Sequence, residues 1–330
     1  MRKKINLIGI FCCILSLPMF GQFKKYTFET GKMGSPFNII VSTTDSSGLH
    51  VKIQQAFELA EELENQLSDY RENSDVSRVN QLAGTGKFYP IQKPFRTILV
   101  ESLYAKKISS GRLNVFAGKL VQEWRKARRT KMLPDAKTLA QISKEISQEC
   151  VEFSTDSLSI RLLHSSCQLD FGSIGKGFVA QEVLNFLVKS GFPYVLVDAG
   201  GKIVCTQVNE SRENWKIGLE LPQSKNISNK LIKANNVALA SSGNTYQVLS
   251  LDGKLYSHVL DATTGWAVEH SRSATVVCKD GARADWLATA ATLLSIEQLK
   301  EIMDIFKDIK ILVWQNNADK LDIIFNHNIL

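Results

Sequence analysis

Beyond its N-terminal segment, this sequence lacks any apolar run of about 18 residues, the length that a membrane-spanning helix needs. It also lacks internal repeats and low-complexity linkers. Its 330 residues are 44% hydrophobic and 22% charged, a composition that excludes disordered and collagen-like chains. The sequence therefore predicts a soluble globular protein, long enough for one large domain or two of ordinary size.

Cysteine is scarce, and no two cysteines form a CxxC pair. Two of the six lie near the N-terminus, and the other four, Cys150, Cys167, Cys205 and Cys278, are far apart. This spacing argues against a zinc site. Outside the cytoplasm a disulfide is permitted, but we expect all four side chains to be buried as small hydrophobic groups.

The first 21 residues have the layout of a cleaved secretory signal peptide. Basic residues 2–4 precede the apolar run 5–17, and polar sequence begins after Gly21. Cys12 and Cys13 lack the small residue expected before a lipidated cysteine, so a lipoprotein is not predicted. We expect cleavage near Gly21 and Gln22, and an exported protein that is periplasmic or associated with the envelope.

Removing residues 1–21 takes away three positive and no negative residues, so the net charge falls from +7 to +4. A charge of this size does not imply a nucleic-acid partner. The remaining basic cluster is Arg125, Lys126, Arg128 and Arg129, at the end of a predicted helix. We interpret this cluster as a solvated face, the usual role of a run of charges.

Helical and extended patterns are mixed along the chain without strict alternation, which predicts an α+β domain with mixed or antiparallel sheets and flanking helices. We expect one domain over 22–330, or alternatively two lobes, 22–150 and 151–330. Helices are predicted at 49–67, 74–80, 94–111, 113–129, 135–147, 174–188 and 282–294, and from 295 onward. Extended segments are predicted within 23–43 and at 151–153, 158–163, 167–171, 194–197, 203–206, 215–221, 237–240, 246–251, 254–259, 276–278, 309–313 and 321–325.

A glycine-rich stretch, LDFGSIGKG at 169–177, lies between a predicted strand and a predicted helix. Glycines let a backbone approach a ligand closely, and the amides of a helix start favour an anion beside the charge of Lys176. The stretch therefore reads as a phosphate cradle, although it matches neither a Walker A loop nor GxGxxG. The alternative is a tight turn with an exposed lysine.

Asp285 and Thr289 are four residues apart on one predicted helix, so their side chains share a face. A carboxylate and a hydroxyl together are hard oxygen ligands, suited to Mg²⁺. The alternative is an acidic residue near a helix start, favoured by the helix dipole, with Thr289 only packing.

His258 is the one histidine set in a polar cluster, YSHVLDATTG at 256–265. A histidine there can contact phosphate or move a proton near neutral pH, although a lone histidine in a strand is as often structural. The polar ends of two other strands, GG at 200–201 and SSGN at 241–244, are further places where a site can be built.

Taken in order, seven segments of the chain resemble the ApbE family, the FAD:protein FMN transferases. The resemblance extends over about residues 30–295 and implies an ApbE-like domain related to the T-fold. The segments are 33–37 (MGSPF), 67–71 with 77–80 (LSDYR, SRVN), 169–177, 197–201 (VDAGG), 240–243 (ASSG), 256–265 and 284–289 (ADWLAT).

The resemblance implies a secreted, Mg²⁺-dependent transferase that cleaves FAD at its pyrophosphate. Such an enzyme attaches FMN through a phosphodiester to a Thr or Ser of an exported acceptor protein and releases AMP. Carried over by position, the backbone carbonyl of Ser173 and the side chains of Asp285 and Thr289 are implied metal ligands, and His258 is the implied catalytic residue. The implied FAD-contacting residues are Lys176, His258, Met33, Asn80, Gly175, Gly177 and Asn114.

Two positions depart from the family pattern. Asn114 stands where an acid that touches the nucleotide is common, and Lys202 follows Gly200 and Gly201 where an Asp is usual. These changes bear on substrate preference and on transfer. Three rival functions stay open: hydrolysis of FAD to FMN and AMP, a periplasmic protein that binds flavin without catalysis, which Asn114 favours, and a secreted α+β scaffold whose glycine-rich turns are only turns.

Overall fold

The computed structural model describes residues 22–208, 214–219, 230–243, 249–251, 253–317 and 320–329. The proposed signal peptide, Asn244, Tyr246 and Asp252 lie outside these residues. Within them, no helix combines the length and the apolar character that crossing a bilayer requires.

Eight strands form one antiparallel sheet in the order β1-β2-β6-β7-β10-β13-β14-β15, and smaller sheets pair β11 with β12, β8 with β9, and β5 with both β3 and β4. The strands are β1 Lys24–Lys32, β2 Ser35–Thr43, β3 Tyr89–Pro90, β4 Val151–Phe153, β5 Ser159–Leu162, β6 Val195–Ala199, β7 Lys202–Cys205, β8 Trp215–Leu219, β9 Lys230–Ala234, β10 Val237–Gly243, β11 Leu249–Leu251, β12 Lys254–Tyr256, β13 Arg272–Cys278, β14 Lys310–Asn317 and β15 Lys320–His327.

Helices lie against this sheet, which confirms the predicted α+β class. Two of them begin at a side-chain cap: Ser74 accepts a hydrogen bond from Ser77 N, and Ser295 and Gln298 form a capping box. The helices are α1 Leu49–Leu67, α2 Asp75–Gln81, α3 Lys93–Ile108, α4 Gly118–Thr130, α5 Ala136–Ser147, α6 Gly175–Lys189, α7 Gly281–Leu293 and α8 Ile296–Ile305.

The main hydrophobic core lies between one face of the sheet and the helices. It contains residues from both halves of the chain, with Trp124 and Trp286 among its largest fully buried side chains. On the opposite face, Leu196, Leu239 and Val277 pack with Trp215 and other residues of the β8–β9 hairpin. The division into one domain or two lobes stays a prediction.

Helices α6 and α7 cross closely because glycine occupies both sides of the crossing. A Cβ at Gly177 would collide with the carbonyl oxygen of Gly281 and lie 2.7 Å from Asp285 Cβ. The carbonyl oxygen of Gly177 packs against Gly281 in the same way. This approach brings the start of α6 next to the second turn of α7.

The strand predicted at 167–171 is wrong. Gln168 forms one isolated bridge to Ala117, and the amide of Asp170 donates to the carbonyl of Val115 at 2.8 Å. The apolar residues of this segment alternate with polar ones and are buried in the core. A half-buried strand has the same sequence pattern, and the prediction failed for this reason. The helix predicted at 113–129 begins later, at Gly118, because Asn114 forms a local turn in which its Oδ1 accepts from Phe116 N at 3.1 Å.

The cysteine prediction is wrong for one pair and confirmed for the other. Cys150 and Cys167 form a disulfide, whereas Cys205 and Cys278 are free and buried. The fold brings Cys150, at the end of α5, beside the segment that leads to α6, a proximity that the 17-residue separation did not reveal.

The basic cluster is also not a uniformly solvated face. Arg125 pairs with Asp69 at 2.5 Å and with Asp170 at 3.4 Å, and its guanidinium stacks on the ring of Tyr70 at 4.0 Å. Arg128 is partly buried, while Lys126 and Arg129 are exposed. One side of α4 therefore turns inward, toward the glycine-rich stretch.

Candidate active site

The glycine-rich stretch forms the turn that starts α6. The amide of Gly175 donates to the carbonyl of Phe171 at 2.7 Å, and that of Gly172 donates to Asp170 Oδ1 at 2.7 Å. Met33 reaches this turn, since a Cβ on Gly175 would lie 3.6 Å from Met33 Cε. Met33 and Gly175, both predicted as site residues, are therefore neighbours.

Asp285 connects α7 to the start of α6. Its Oδ2 accepts a hydrogen bond from Gly177 N at 2.9 Å, and the residue is 1% exposed. The first helical hydrogen bond of α6 runs from Phe178 N to Ile174 O, so the Ser173 carbonyl does not receive the Gly177 amide. That carbonyl keeps its lone pairs free of this helical bond.

The dipole explanation for Asp285 is not supported by its position. Asp280 is the N-cap of α7 and accepts from Arg283 N at 2.8 Å, and Asp285 follows in the second turn. Thr289 lies one turn further on, with its hydroxyl 3.3 Å from Ser242 Oγ and 3.3 Å from the Asp285 carbonyl. The helix thus presents a carboxylate and a hydroxyl beside the polar end of β10.

Lys202 lies against the same carboxylate. Its Nζ is 3.4 Å from Asp285 Oδ1 and donates to the Ser241 carbonyl. Burial lowers the pKa of Lys202, and the neighbouring Asp285 charge opposes that effect. Sequence reasoning treated this residue only as a departure from a family pattern, and the structure places it at the centre of the site.

His258 lies in a loop rather than in the predicted strand, because β12 ends at Tyr256. Its side chain is open to solvent, but the protein around it removes enough hydration to lower the pKa of the imidazole to about 4. The cations of Arg128, Lys176 and Lys202 act in the same direction. At neutral pH the ring is therefore uncharged and able to accept a proton.

The glycine-rich stretch also contains an acidic residue, Asp170, that was not predicted as a site residue. Burial, and to a smaller extent the charge of Asp69, raises the pKa of Asp170 to about 6.

Arg128 has an unused hydrogen-bond donor. Burial lowers the pKa of Arg128, and its Nη1 has no hydrogen-bond partner within the part of the chain that the structure describes. A buried, unpaired guanidinium hydrogen is a suitable donor for an anionic ligand.

Two other predicted site residues use their amides within the protein. Asn80 holds the backbone of Leu169 by two bonds, accepting from its N at 2.6 Å and donating to its O at 2.9 Å. Asn114 Nδ2 donates to the Ile146 carbonyl at 3.0 Å. Asn114 also lines a cavity of about 770 Å³ with Lys106, Ser143, Thr263 and others.

The chemistry of the predicted ligands, a backbone carbonyl at Ser173, a carboxylate at Asp285 and a hydroxyl at Thr289, suits a hard divalent cation. The described residues contain no group of three or more His, Cys, Asp and Glu placed to hold a metal ion. Among the described residues, a cation at Asp285 would therefore have at most two ligands of these four types.

Comparison with known proteins agrees with this geometry. The sequence model of the ApbE family matches residues 33–313. The chain belongs to the ApbE family. This membership confirms the predicted family, and with it the prediction of a transferase.

Curated relatives of this ApbE-family chain include the FAD:protein FMN transferase of Vibrio cholerae, 29% identical over 276 residues, with 81% of this chain and 80% of the relative covered. The FAD:protein FMN transferase of Haemophilus influenzae is 25% identical over 319 residues, covering 92% and 91%. The apo structure of the Pseudomonas stutzeri flavinyl transferase ApbE aligns with a TM-score of 0.81 at 23% identity, covering 94% of this chain and 97% of that one, and this likeness shows the fold.

Proposed function

We propose that this protein is an Mg²⁺-dependent FAD:protein FMN transferase. It cleaves the pyrophosphate of FAD, attaches FMN through a phosphodiester to a Thr or Ser of an exported acceptor protein, and releases AMP. The observation that supports this best is the contact of Asp285, one helical turn before Thr289, with the start of α6, together with a set of cations and an uncharged His258. Phosphoryl transfer depends mainly on such positioning and charge stabilisation.

Asp285, Thr289 and the Ser173 carbonyl are the residues that would hold Mg²⁺. When bound, Mg²⁺ neutralises negative charge on the pyrophosphate. The protein adds fixed positive charges nearby, on Lys176 and Arg128. Arg128 is partly buried with an unused Nη1 donor, so it can bind a phosphate oxygen without breaking a hydrogen bond within the described protein.

His258 is the group that would take the proton from the acceptor hydroxyl. In the transfer step, the hydroxyl oxygen forms a bond to the phosphorus of the FMN moiety as the bond from that phosphorus to the AMP oxygen breaks. The hydroxyl proton passes to a ring nitrogen of His258, and the electron pair of the broken bond leaves on AMP. The imidazole is unprotonated at pH 7, which this role requires, and its pKa of about 4 makes it a weaker base than an ordinary histidine.

We also propose that the protein is exported after cleavage near Gly21. The disulfide between Cys150 and Cys167 supports this, because disulfides persist in oxidising compartments and are rare in the cytosol.

Hydrolysis of FAD is the second candidate, favoured by the solvent exposure of His258, since water can reach the group that would accept a proton. The rival of a non-catalytic flavin-binding protein was based on Asn114, and the amide of Asn114 is bonded to the protein itself.

The test incubates mature protein, residues 22–330, with FAD, Mg²⁺ and a flavin-acceptor domain. A matched acceptor with its target Thr changed to Val is the control. Intact-mass and chromatographic analysis should find FMN on the first acceptor only, with one AMP per FMN attached. Free FMN with AMP and an unmodified acceptor would identify a hydrolase, and unchanged bound FAD would identify a binding protein.

A further inference from the structure

Lys202 and Asp285 form a buried ion pair at the proposed cation site. Lys202 is 8% exposed and Asp285 is 1% exposed, and Lys202 Nζ lies 3.4 Å from Asp285 Oδ1. A carboxylate buried to this degree needs a compensating positive charge. Within the protein, Lys202 Nζ lies in position to supply that charge.

Both oxygens of Asp285 already have partners within the protein. Oδ2 accepts from Gly177 N at 2.9 Å, and Oδ1 faces Lys202. The other two proposed ligands, the Ser173 carbonyl and the Thr289 hydroxyl, are neutral. The protein side of the site therefore has no net negative charge with which to attract a divalent cation.

We propose that Lys202 is an internal counter-ion of Asp285 that opposes metal binding, so that the free protein holds Mg²⁺ weakly and acquires it together with a dinucleotide pyrophosphate. The inference rests on the proposed cation site at Asp285 and Thr289. The pyrophosphate brings the negative charges that the protein side of the site lacks, and these offset the repulsion between Lys202 and the cation. Lys202 thereby makes occupancy of the metal site depend on substrate.

The test measures binding of Mn²⁺, a paramagnetic stand-in for Mg²⁺, to mature protein by electron paramagnetic resonance, with and without FAD. Lys202→Met removes the ammonium group but keeps an unbranched side chain of similar length. Without FAD, we expect this variant to bind Mn²⁺ at least roughly ten-fold more tightly than wild type, because a nearby cation is gone. Lys202→Arg should stay as weak as wild type, and addition of FAD should tighten binding to wild type far more than to Lys202→Met.

Two controls locate the effect. Lys279→Met removes one positive charge from an exposed lysine and should leave Mn²⁺ affinity unchanged. Adding Asp285→Asn to Lys202→Met should abolish the gain, since the carboxylate is then absent. Thermal unfolding followed by circular dichroism shows whether each variant is folded.

Tight Mn²⁺ binding by FAD-free wild type would overturn the inference even if Lys202→Met does not fold. An affinity of folded Lys202→Met equal to that of wild type would also overturn it. If no form binds Mn²⁺ with or without FAD, the cation site and the inference both fail. Absence of FMN transfer with the expected Mn²⁺ affinities would reject the proposed activity and leave the role of Lys202 standing.

Discussion

At the scale of single residues, the site depends on side chains whose surroundings change their ordinary chemistry. His258 is the clearest case, because reduced hydration and three nearby cations lower its pKa to about 4. A histidine with an ordinary pKa would be largely protonated in mildly acidic solution and would lose its capacity to accept a proton. The local environment keeps His258 neutral over a wider pH range.

The first prediction concerns replacement of His258. His258→Ala should reduce FMN transfer by a factor on the order of 10²–10⁴, the usual contribution of a positioned general base. The side chain is exposed, so we expect an unfolding temperature close to that of wild type. Steady-state transfer rates and calorimetry measure the two effects. A transfer rate equal to that of wild type would show that His258 takes no part in the reaction.

The same residue predicts a pH dependence. Because protonation removes the base, the rate should be lost as pH falls through about 4 and should be unaffected by His258 between pH 5 and 7. The measurement is the initial rate of transfer across pH 3.5–8 with FAD well below its KM, because kcat/KM reports the ionisation of the free protein. A loss centred near 6.5 would show that His258 titrates as an ordinary histidine.

At the scale of elements, the crossing of α6 and α7 is the feature that builds the site. Gly177 and Gly281 let the two backbones touch, and this contact allows Asp285 on α7 to accept the amide of Gly177 on α6. Strand β7 adds Lys202, and β10 adds Ser242 beside Thr289. The site is thus assembled from two helices and two neighbouring strand ends.

The crossing predicts a strong effect of one methyl group. Gly177→Ala should lower the free energy of unfolding by about 1–3 kcal/mol and weaken transfer, because the new Cβ meets backbone of α7 that cannot move freely. Gly31→Ala is the matched control, since nothing lies within 4 Å of a Cβ there. Denaturant unfolding of both variants checks this, and equal stability would mean that the helices can separate at little cost.

At the scale of the whole molecule, a disulfide and the large sheet hold together parts that are distant in sequence. The Cys150–Cys167 bond closes a short loop between the end of α5 and the segment that leads to the glycine-rich stretch. It restrains the unfolded chain.

Removal of this disulfide is expected to destabilise the protein. A loop of this length corresponds to about 3 kcal/mol in the chain-entropy description, so Cys150→Ala with Cys167→Ala should lower the free energy of unfolding by about that amount. A reducing agent should lower wild-type stability similarly and leave the double variant unchanged. Indifference of wild type to reduction would show that the bond does not form in solution.

Export can be tested on the protein taken from its native envelope. We expect mass spectrometry to find a mature N-terminus near Gln22, because residues 1–21 have the charge and apolar layout of a cleaved signal. An intact Met1 on protein recovered from the cytoplasm would contradict this prediction.

The sequence by itself determined the elements and the family. Helical periodicity, the caps at Ser74 and Ser295 and the apolar strands are local signals. Helices α1, α2, α5, α6 and α7 lie within a few residues of their predicted bounds, and α8 begins within one residue of its predicted start. The motifs that resemble the ApbE family can likewise be read directly from the sequence, and the family match confirms that resemblance. The predicted strand 167–171 failed because burial in a loop and burial in a strand produce the same alternation.

Only the tertiary structure decided which side chains meet. The Lys202–Asp285 pair, the cations around His258, the Arg125 contacts with Asp69 and Asp170, and the Cys150–Cys167 bond all join residues from different elements. Periodicity reports which face of an element is apolar, but not which other element will cover it. The distances between charged groups are fixed only when the chain packs. These distances set the pKa values and decide how strongly Lys202 competes with a cation for Asp285.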